Sequence, residues 1–395
     1  MRPGGKDPVR LLLLLILTIM AFYRNQLWGQ GKALWEDAVE KADGKGRNYL
    51  NLATSLMAEG KRLEAVSVFE QAMDKGLPDE FASIVFYNMG LLIQGEGDLE
   101  KAEKYYRMSL ERNPRNVQAH NNLGTILMKE GNLKGAEEEF RAAGISISFA
   151  NLGVVYERMG KMKEAEEAFV TALRMNPSLE GVHLQLGSLL MQMGSKEEAV
   201  HHFKDELRLA PKEVIALNSL GYTLIGLGRF DEAVPYLKRA ISADEGMAPA
   251  HNNLGIAYLR KGRLKEALRE FSRANEIMPE VAEFHTNLGA VLYAQGKTQD
   301  AVEEFSRALS LMPGYPQAHN NMGIYYMDQE MYGLALSEFE KAASLDPQYY
   351  EAIYHIGSCH LVLGDKEKAI KAFRKALEIK PDFTPAVEGL LTAGK

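Results

Sequence analysis

Apolar residues along this chain stand three and four positions apart in short runs, the spacing of amphipathic helices rather than strands, and the runs come in pairs. The pairs recur on a fixed period. Gly187, Gly221, Gly255, Gly289, Gly323 and Gly357 follow one another every 34 residues, after Gly90, Gly124 and Gly153. Twelve residues behind each glycine stands an alanine: Ala102, Ala136, Ala165, Ala199, Ala233, Ala267, Ala301, Ala335 and Ala369. A large side chain keeps the same phase at Tyr106, Phe140, Phe169, Phe203, Leu237, Phe271, Phe305, Phe339 and Phe373. Proline ends most units, at Pro114, Pro177, Pro211, Pro279, Pro313, Pro347 and Pro381. It cannot continue a helix, because its ring fixes φ and removes the amide donor.

Each unit therefore reads as helix, glycine-containing turn, helix, proline-punctuated turn. Ten such units begin near Gly46, Ser83, Val117, Ser146, Glu180, Val214, Ala248, Ala282, Pro316 and Tyr350, and the last ends near Phe383. The pattern resembles the tetratricopeptide repeat family over most of the chain. That resemblance implies an all-α, right-handed superhelical α-solenoid of about ten helix-turn-helix units, preceded here by an N-terminal hydrophobic helix. The small residues let two helices approach, and the aromatic fills the space between adjacent units. No unit buries its apolar face alone, so stability is a sum over neighbours. The expected organisation is a basic flank at 1–10, a hydrophobic segment at 11–28, a junction at 29–45, the array at 46–383 and a short cap at 384–395.

Three units depart from the pattern. The third is 29 residues long, its usual turn replaced by GISISFANLG after Ala143, which is best read as a second helix shortened by one turn. The sixth ends in Glu245 instead of proline, and the ninth carries Glu330 where the turn glycine belongs. Both read as surface changes.

Composition narrows the function. With 46% hydrophobic residues the chain is not largely disordered. The net charge is −7, of which the first 35 residues carry +4, leaving −11 on the rest. An acidic solenoid is a poor phosphate binder, so nucleic acid is not an expected partner. Cys359 is the only cysteine, which excludes an intrachain disulfide and a multi-cysteine metal site. Its place just after Gly357 suggests a buried packing thiol.

Leu11 to Tyr23 has Thr18 as its one polar residue and follows Arg2, Lys6 and Arg10. At ~1.5 Å per residue this run spans ~20 Å, so a membrane anchor must extend to Trp28 by snorkelling of Arg24. A cleaved signal and a buried capping helix are the alternatives. The basic flank places the repeats on the extracytoplasmic, periplasmic or lumenal side of a single-pass protein; cleavage would give a secreted or periplasmic one. The stretch from Ala21 to Leu52, through Arg24, Asn25, Trp28, Leu34, Trp35, Glu36, Arg47, Tyr49 and Asn51, resembles the junction before the first repeat in the transmembrane and tetratricopeptide-repeat-containing, O-mannosyltransferase-like family. That family's catalytic region would precede the junction. Only ten residues precede the apolar run here, so no catalytic residue is carried over and no enzyme is expected.

Candidate binding chemistry lies one residue before the Leu-Gly step of each unit. An amide occupies that slot at Asn51, Asn88, Asn122, Asn151, Gln185, Asn253, Asn287 and Asn321, with Ser219 and His355 as exceptions. Asparagine is a mediocre helix former, so propensity does not explain it. In the repeat family the resemblance places this slot on the concave surface, where, as in O-linked N-acetylglucosamine transferases and nuclear import adaptors, it holds peptide main chain. One amide both donates and accepts, whatever the ligand sequence. With helices ~8–10 Å apart and a strand rising ~3.3 Å per residue, each rung would meet about every third guest residue. The alternative is a solvated consensus position bonded to its neighbours.

Other motifs read as structural. Arg47, Asn51 and Asn88 match part of a carboxylate clamp for chaperone C-termini, but Gln118 and Asn122 stand where its cations belong. Gly296-Lys297-Thr298 ends like a phosphate loop yet is the turn of the eighth unit. His120, His251 and His319 read as packing residues, and His201 and His202, adjacent on a helix, diverge, as do His355 and His360. No cofactor and no metal are expected. Asn176-Pro177-Ser178 is excluded by its proline as a glycosylation acceptor.

The function expected from these readings is a membrane-tethered scaffold that binds an extended protein segment through the asparagine slots. Two alternatives follow from the N-terminal resemblance and segment: the substrate-presenting part of a membrane glycosyltransferase system, and a structural subunit of an envelope complex.

Overall fold

The structure, a computed structural model, describes residues 31–41 and 45–394. Every regular element among them is an α-helix. Beyond a leading helix, Gly31–Lys41, they form ten helical hairpins and a closing helix, Thr384–Ala393. In the seventh hairpin, for example, Ala248–Arg260 of 13 residues turns back into Leu264–Ile277 of 14. The chain divides into two compact parts, one up to Val182 and one from His183 onward.

The turn inside each hairpin explains one glycine of the repeat. Residues such as Gly60, Gly131, Gly228 and Gly262 adopt φ between 70° and 82°, the left-handed region in which a Cβ is costly. In the ninth hairpin Glu330 takes that role at φ 57°, the one positive-φ residue other than glycine among those described. The glycine of the first helix has a different task. At Gly90, Gly124, Gly153, Gly187, Gly289, Gly323 and Gly357 an added methyl would stand 2.5–2.8 Å from the ring sixteen residues on. The aromatic expected to fill the space between units thus lies first against the glycine of its own hairpin. In the sixth hairpin Leu237 crowds Gly221 in the same way.

Within the first part, Gly31–Lys41 packs Trp35 and Val39 against the apolar cluster that holds Tyr49, Leu50, Leu56 and Phe69 of the first hairpin. The Asn48 side chain donates to the Ala38 carbonyl at 3.0 Å, so this helix caps the solenoid's apolar end. The short third unit loses its residues from the second helix: Leu133–Ala143 has 11 residues against 14 in Leu99–Arg112. Gly144, at φ 62°, stops it. The Ile145 amide donates to Ser148 Oγ at 2.9 Å, and that hydroxyl donates back to the Ile145 carbonyl at 2.7 Å, which starts the next helix at once. Within the second part, Ala386 and Ala393 of the closing helix join Ile353 and Phe373 in a terminal cluster.

Among the described residues no helix is long and apolar enough to cross a membrane. The longest, Asp79–Glu96, has 18 residues with Asp79 and Glu80 in its first turn and is packed in the second hairpin. The reading of a single-pass protein with an extracytoplasmic array is corrected on that finding. Residues 1–10 and the apolar segment 11–28, on which the anchor and signal readings rested, lie outside the described residues.

Candidate peptide-binding face

Several first helices of consecutive hairpins touch, as Val214–Gly226, Ala248–Arg260 and Ala282–Ala294 do in sequence. This row of first helices carries the amide slots.

Four of the slots are tied into the stack. Asn253 Nδ2 donates to Asn218 Oδ1 at 2.9 Å and Asn287 Nδ2 donates to Asn252 Oδ1 at 2.9 Å, each 35 residues back. Asn151 donates to Asn121 Oδ1 at 3.3 Å across only 30 residues. The interval shrinks by the five residues the third unit lacks, so first-helix packing is kept while the second helix is cut. Asn122 reaches the Tyr106 hydroxyl at 3.4 Å. The acceptors Asn218, Asn252 and Asn121 stand one residue before a slot, and sequence reading missed them. Asn88 and Asn253 are buried, Asn51, Asn287 and Asn321 are half-buried, and Gln185 is exposed.

One rung is broken. By the same 35-residue step His355 should meet Asn320, yet His355 Nδ1 and Asn320 Oδ1 are both buried without a hydrogen-bond partner. His355 stacks on Phe339 instead, centroids 4.8 Å apart. Burial pushes its pKa down to about 4.

The histidines at the start of first helices form a second periodic device. His120, His285 and His319 direct Nδ1 at Glu139, Glu304 and Glu338, nineteen residues on, at 2.6, 2.5 and 2.6 Å. Their Nε2 atoms donate to the Pro114, Pro279 and Pro313 carbonyls at 3.0, 2.8 and 2.9 Å. Each imidazole so joins its hairpin's two helices to the end of the preceding one. His251 makes the pair with Glu270 at 2.8 Å, but its Nε2 is buried without a partner, following the unit that ends in Glu245. Burial pushes the Glu270 carboxyl up, and hydrogen bonds from His251 and Arg269 overcome this and hold it below the usual range. These residues are structural, as the packing reading expected. His202 does not stand apart as its neighbour relation suggested: nineteen residues after His183, its Nδ1 lies 3.0 Å from that residue's Nδ1.

The remaining motifs fall into the framework. Arg47 lies over the Phe81 ring at 4.8 Å, away from a clamp role. Gly296 is a left-handed turn residue and Thr298 opens the next helix. Cys359 is fully buried, and burial pushes its thiol up to about 11.

Comparison with known proteins agrees with this architecture. Family models described as tetratricopeptide repeat match residues 87–147, 148–179, 184–248, 224–290 and 326–394, and one described as TPR repeat matches 291–329. The chain is 45% identical over 74 residues to the photosystem I assembly protein Ycf3 of Acaryochloris marina, covering 19% of this chain and 40% of that protein. It is 33% identical over 97 residues to the Ycf3 of Rippkaea orientalis, covering 24% and 56%. The chain thus spans about half the length of the curated relatives it matches. A solved structure of the APC/C hetero-tetramer Cut9-Hcn1 shares the fold, with a TM-score of 0.55 at 14% identity over 95% of this chain and 96% of that one.

These matches overturn the O-mannosyltransferase-like reading of the Ala21–Leu52 junction, and with it the glycosyltransferase partner. The family models match repeat residues from 87 onward, and the curated relatives are named as assembly proteins. Its repeats give the chain the architecture of a scaffold. With helical hairpins from residue 46 to 379, left-handed turn residues between their helices and repeat models matched along most of its length, it belongs to the tetratricopeptide repeat family.

Proposed function

We propose that this chain binds extended segments of a partner protein along its row of first helices, with the slot asparagines reading the guest's main chain. One observation carries this reading. Asn253 and Asn287 each spend one amide hydrogen on the preceding hairpin, and among the described residues their carbonyl oxygens and second amide hydrogens have no protein partner. The bond already made fixes the side chain's direction, so less rotamer entropy is lost when a guest arrives. Ser219 interrupts the series, and Tyr222, one turn along the same helix face, is 55% exposed there and offers an apolar anchor between polar rungs. The similarity to repeats of assembly proteins supports a role in bringing other proteins together.

The test is selection of guests from a library of unstructured peptides, with Asn253→Ala/Asn287→Ala/Asn321→Ala beside the unaltered chain. A control, Asn218→Ala/Asn252→Ala, removes the bonds between hairpins and leaves the slots intact. Binding lost in the first variant and at most weakened in the second supports main-chain reading. Binding equal in all three, or absent from all, contradicts it.

A further inference from the structure

In four hairpins a histidine near the start of the first helix faces a glutamate nineteen residues later; in the fifth, that glutamate is His202. Three residues further on, where the seventh and eighth hairpins have Arg273 and Arg307, the fifth has Asp205. The acid has moved by three residues, close to one helical turn, and a second imidazole has taken its place. His183 Nδ1 and His202 Nδ1 stand 3.0 Å apart, and one ligand atom from each of His183, His202 and Asp205 lies within 4.8 Å of the other two. All three side chains are half-buried.

From this geometry we infer that His183, His202 and Asp205 form a binding site for a divalent transition metal of the zinc class. Two imidazole nitrogens and a carboxylate oxygen are a ligand set of that class. Tetrahedral zinc with Zn–N bonds of about 2.0–2.1 Å holds two nitrogens ~3.3 Å apart, close to the separation already present. Without metal, one proton is shared between the two Nδ1 atoms. On binding it leaves that space as the donor ring takes its Nε2–H tautomer, and both lone pairs then face the ion. Asp205 is held from outside: His201 Nε2 lies 3.2 Å from one carboxylate oxygen and Arg208 pairs with the other. These partners orient the carboxylate as second-layer groups do in metal sites, and they must yield one oxygen to the ion. Three protein ligands leave a fourth position for water. The ion would clip the first helix of the fifth hairpin to the second.

The experiment titrates the untagged full-length chain with Co2+, followed by its visible ligand-field bands, and with Zn2+ by calorimetry. The comparison is His202→Glu/Asp205→Arg, which rewrites the trio as the seventh and eighth hairpins have it and so has a folded precedent in the same chain. Asp205→Asn serves as a second, milder variant. The expected result is one equivalent of metal, with affinity lowered more than about tenfold in either variant, the scale on which even supporting groups act. Metal-free helicity and melting stay unchanged in the variants. A Co2+ spectrum and Zn2+ affinity that are the same in all three chains, or no saturable binding by the unaltered one, overturns the assignment and leaves His183–His202 a simple hydrogen bond.

Discussion

Gly255 and Phe271 are in contact so close that a methyl group on Gly255 would stand 2.6 Å from Cδ1 of the ring. No Cβ tolerates such a distance, and Phe271 is fully buried with nowhere to move. The 34-residue glycine period is therefore a packing requirement between the two helices of one hairpin. Gly255→Ala is expected to destabilise the array by about 1–3 kcal/mol, the usual cost of overpacking. In a Phe271→Ala background the same change should be neutral or stabilise by up to about 1 kcal/mol, because the clash is gone and alanine is the better helix former. Urea unfolding of the four chains measures both signs. Equal effects in the two backgrounds would contradict the contact.

Glu330 holds a left-handed turn that its relatives in the array fill with glycine. Glu330→Gly should raise stability by about 1 kcal/mol, the strain of a left-handed L-residue less the added freedom of glycine when unfolded. Thermal melting checks this.

His355 gives the array a pH dependence with a definite sign. Its ordinary pKa of 6.5 falls to about 4 on folding. The unfolded chain binds its proton first as pH drops, so stability is full above about pH 6.5, declines towards pH 4 and flattens below. The loss is roughly 3 kcal/mol for a shift of this size. His355→Asn removes this component and supplies the donor that Asn320 Oδ1 lacks. Unfolding free energies across that range should become flatter in the variant and higher at pH 5.

Cys359 has no exposed surface, and its thiol is held up to about 11 by burial. A thiol reagent at pH 8 should leave the folded chain unmodified and react completely once denaturant unfolds the tenth hairpin. Rapid labelling of the folded chain would contradict the packing role.

The hairpins were legible in the sequence because each rests on residues that recur at one interval. Gly255 and Phe271 stand sixteen apart in their repeat, and sequence reading found both while assigning the ring to the neighbouring interface. Partners offset by one position were harder to see. Asn252 and Asn218 accept from the slots, yet they lie beside slots themselves and carry no signal until the helices are stacked. The histidine–glutamate pairs were visible in principle as a nineteen-residue spacing, as were His183 and His202. Comparing His201 with His202 looked along one helix, whereas the contact runs between two. The cap made by Trp35 and Val39 was read as junction because Gly31–Lys41 belongs to no repeat.

The central functional claim is that Asn287 and its companions read main chain. For a selected guest, replacing single peptide bonds by esters removes one N–H donor at a time without altering side chains. At the position facing Asn287, the ester should weaken binding to the unaltered chain by about 3–10-fold, the worth of one hydrogen bond, and should cost nothing further in Asn287→Ala. An ester that weakens both proteins equally at every position, or neither at any, would contradict the claim.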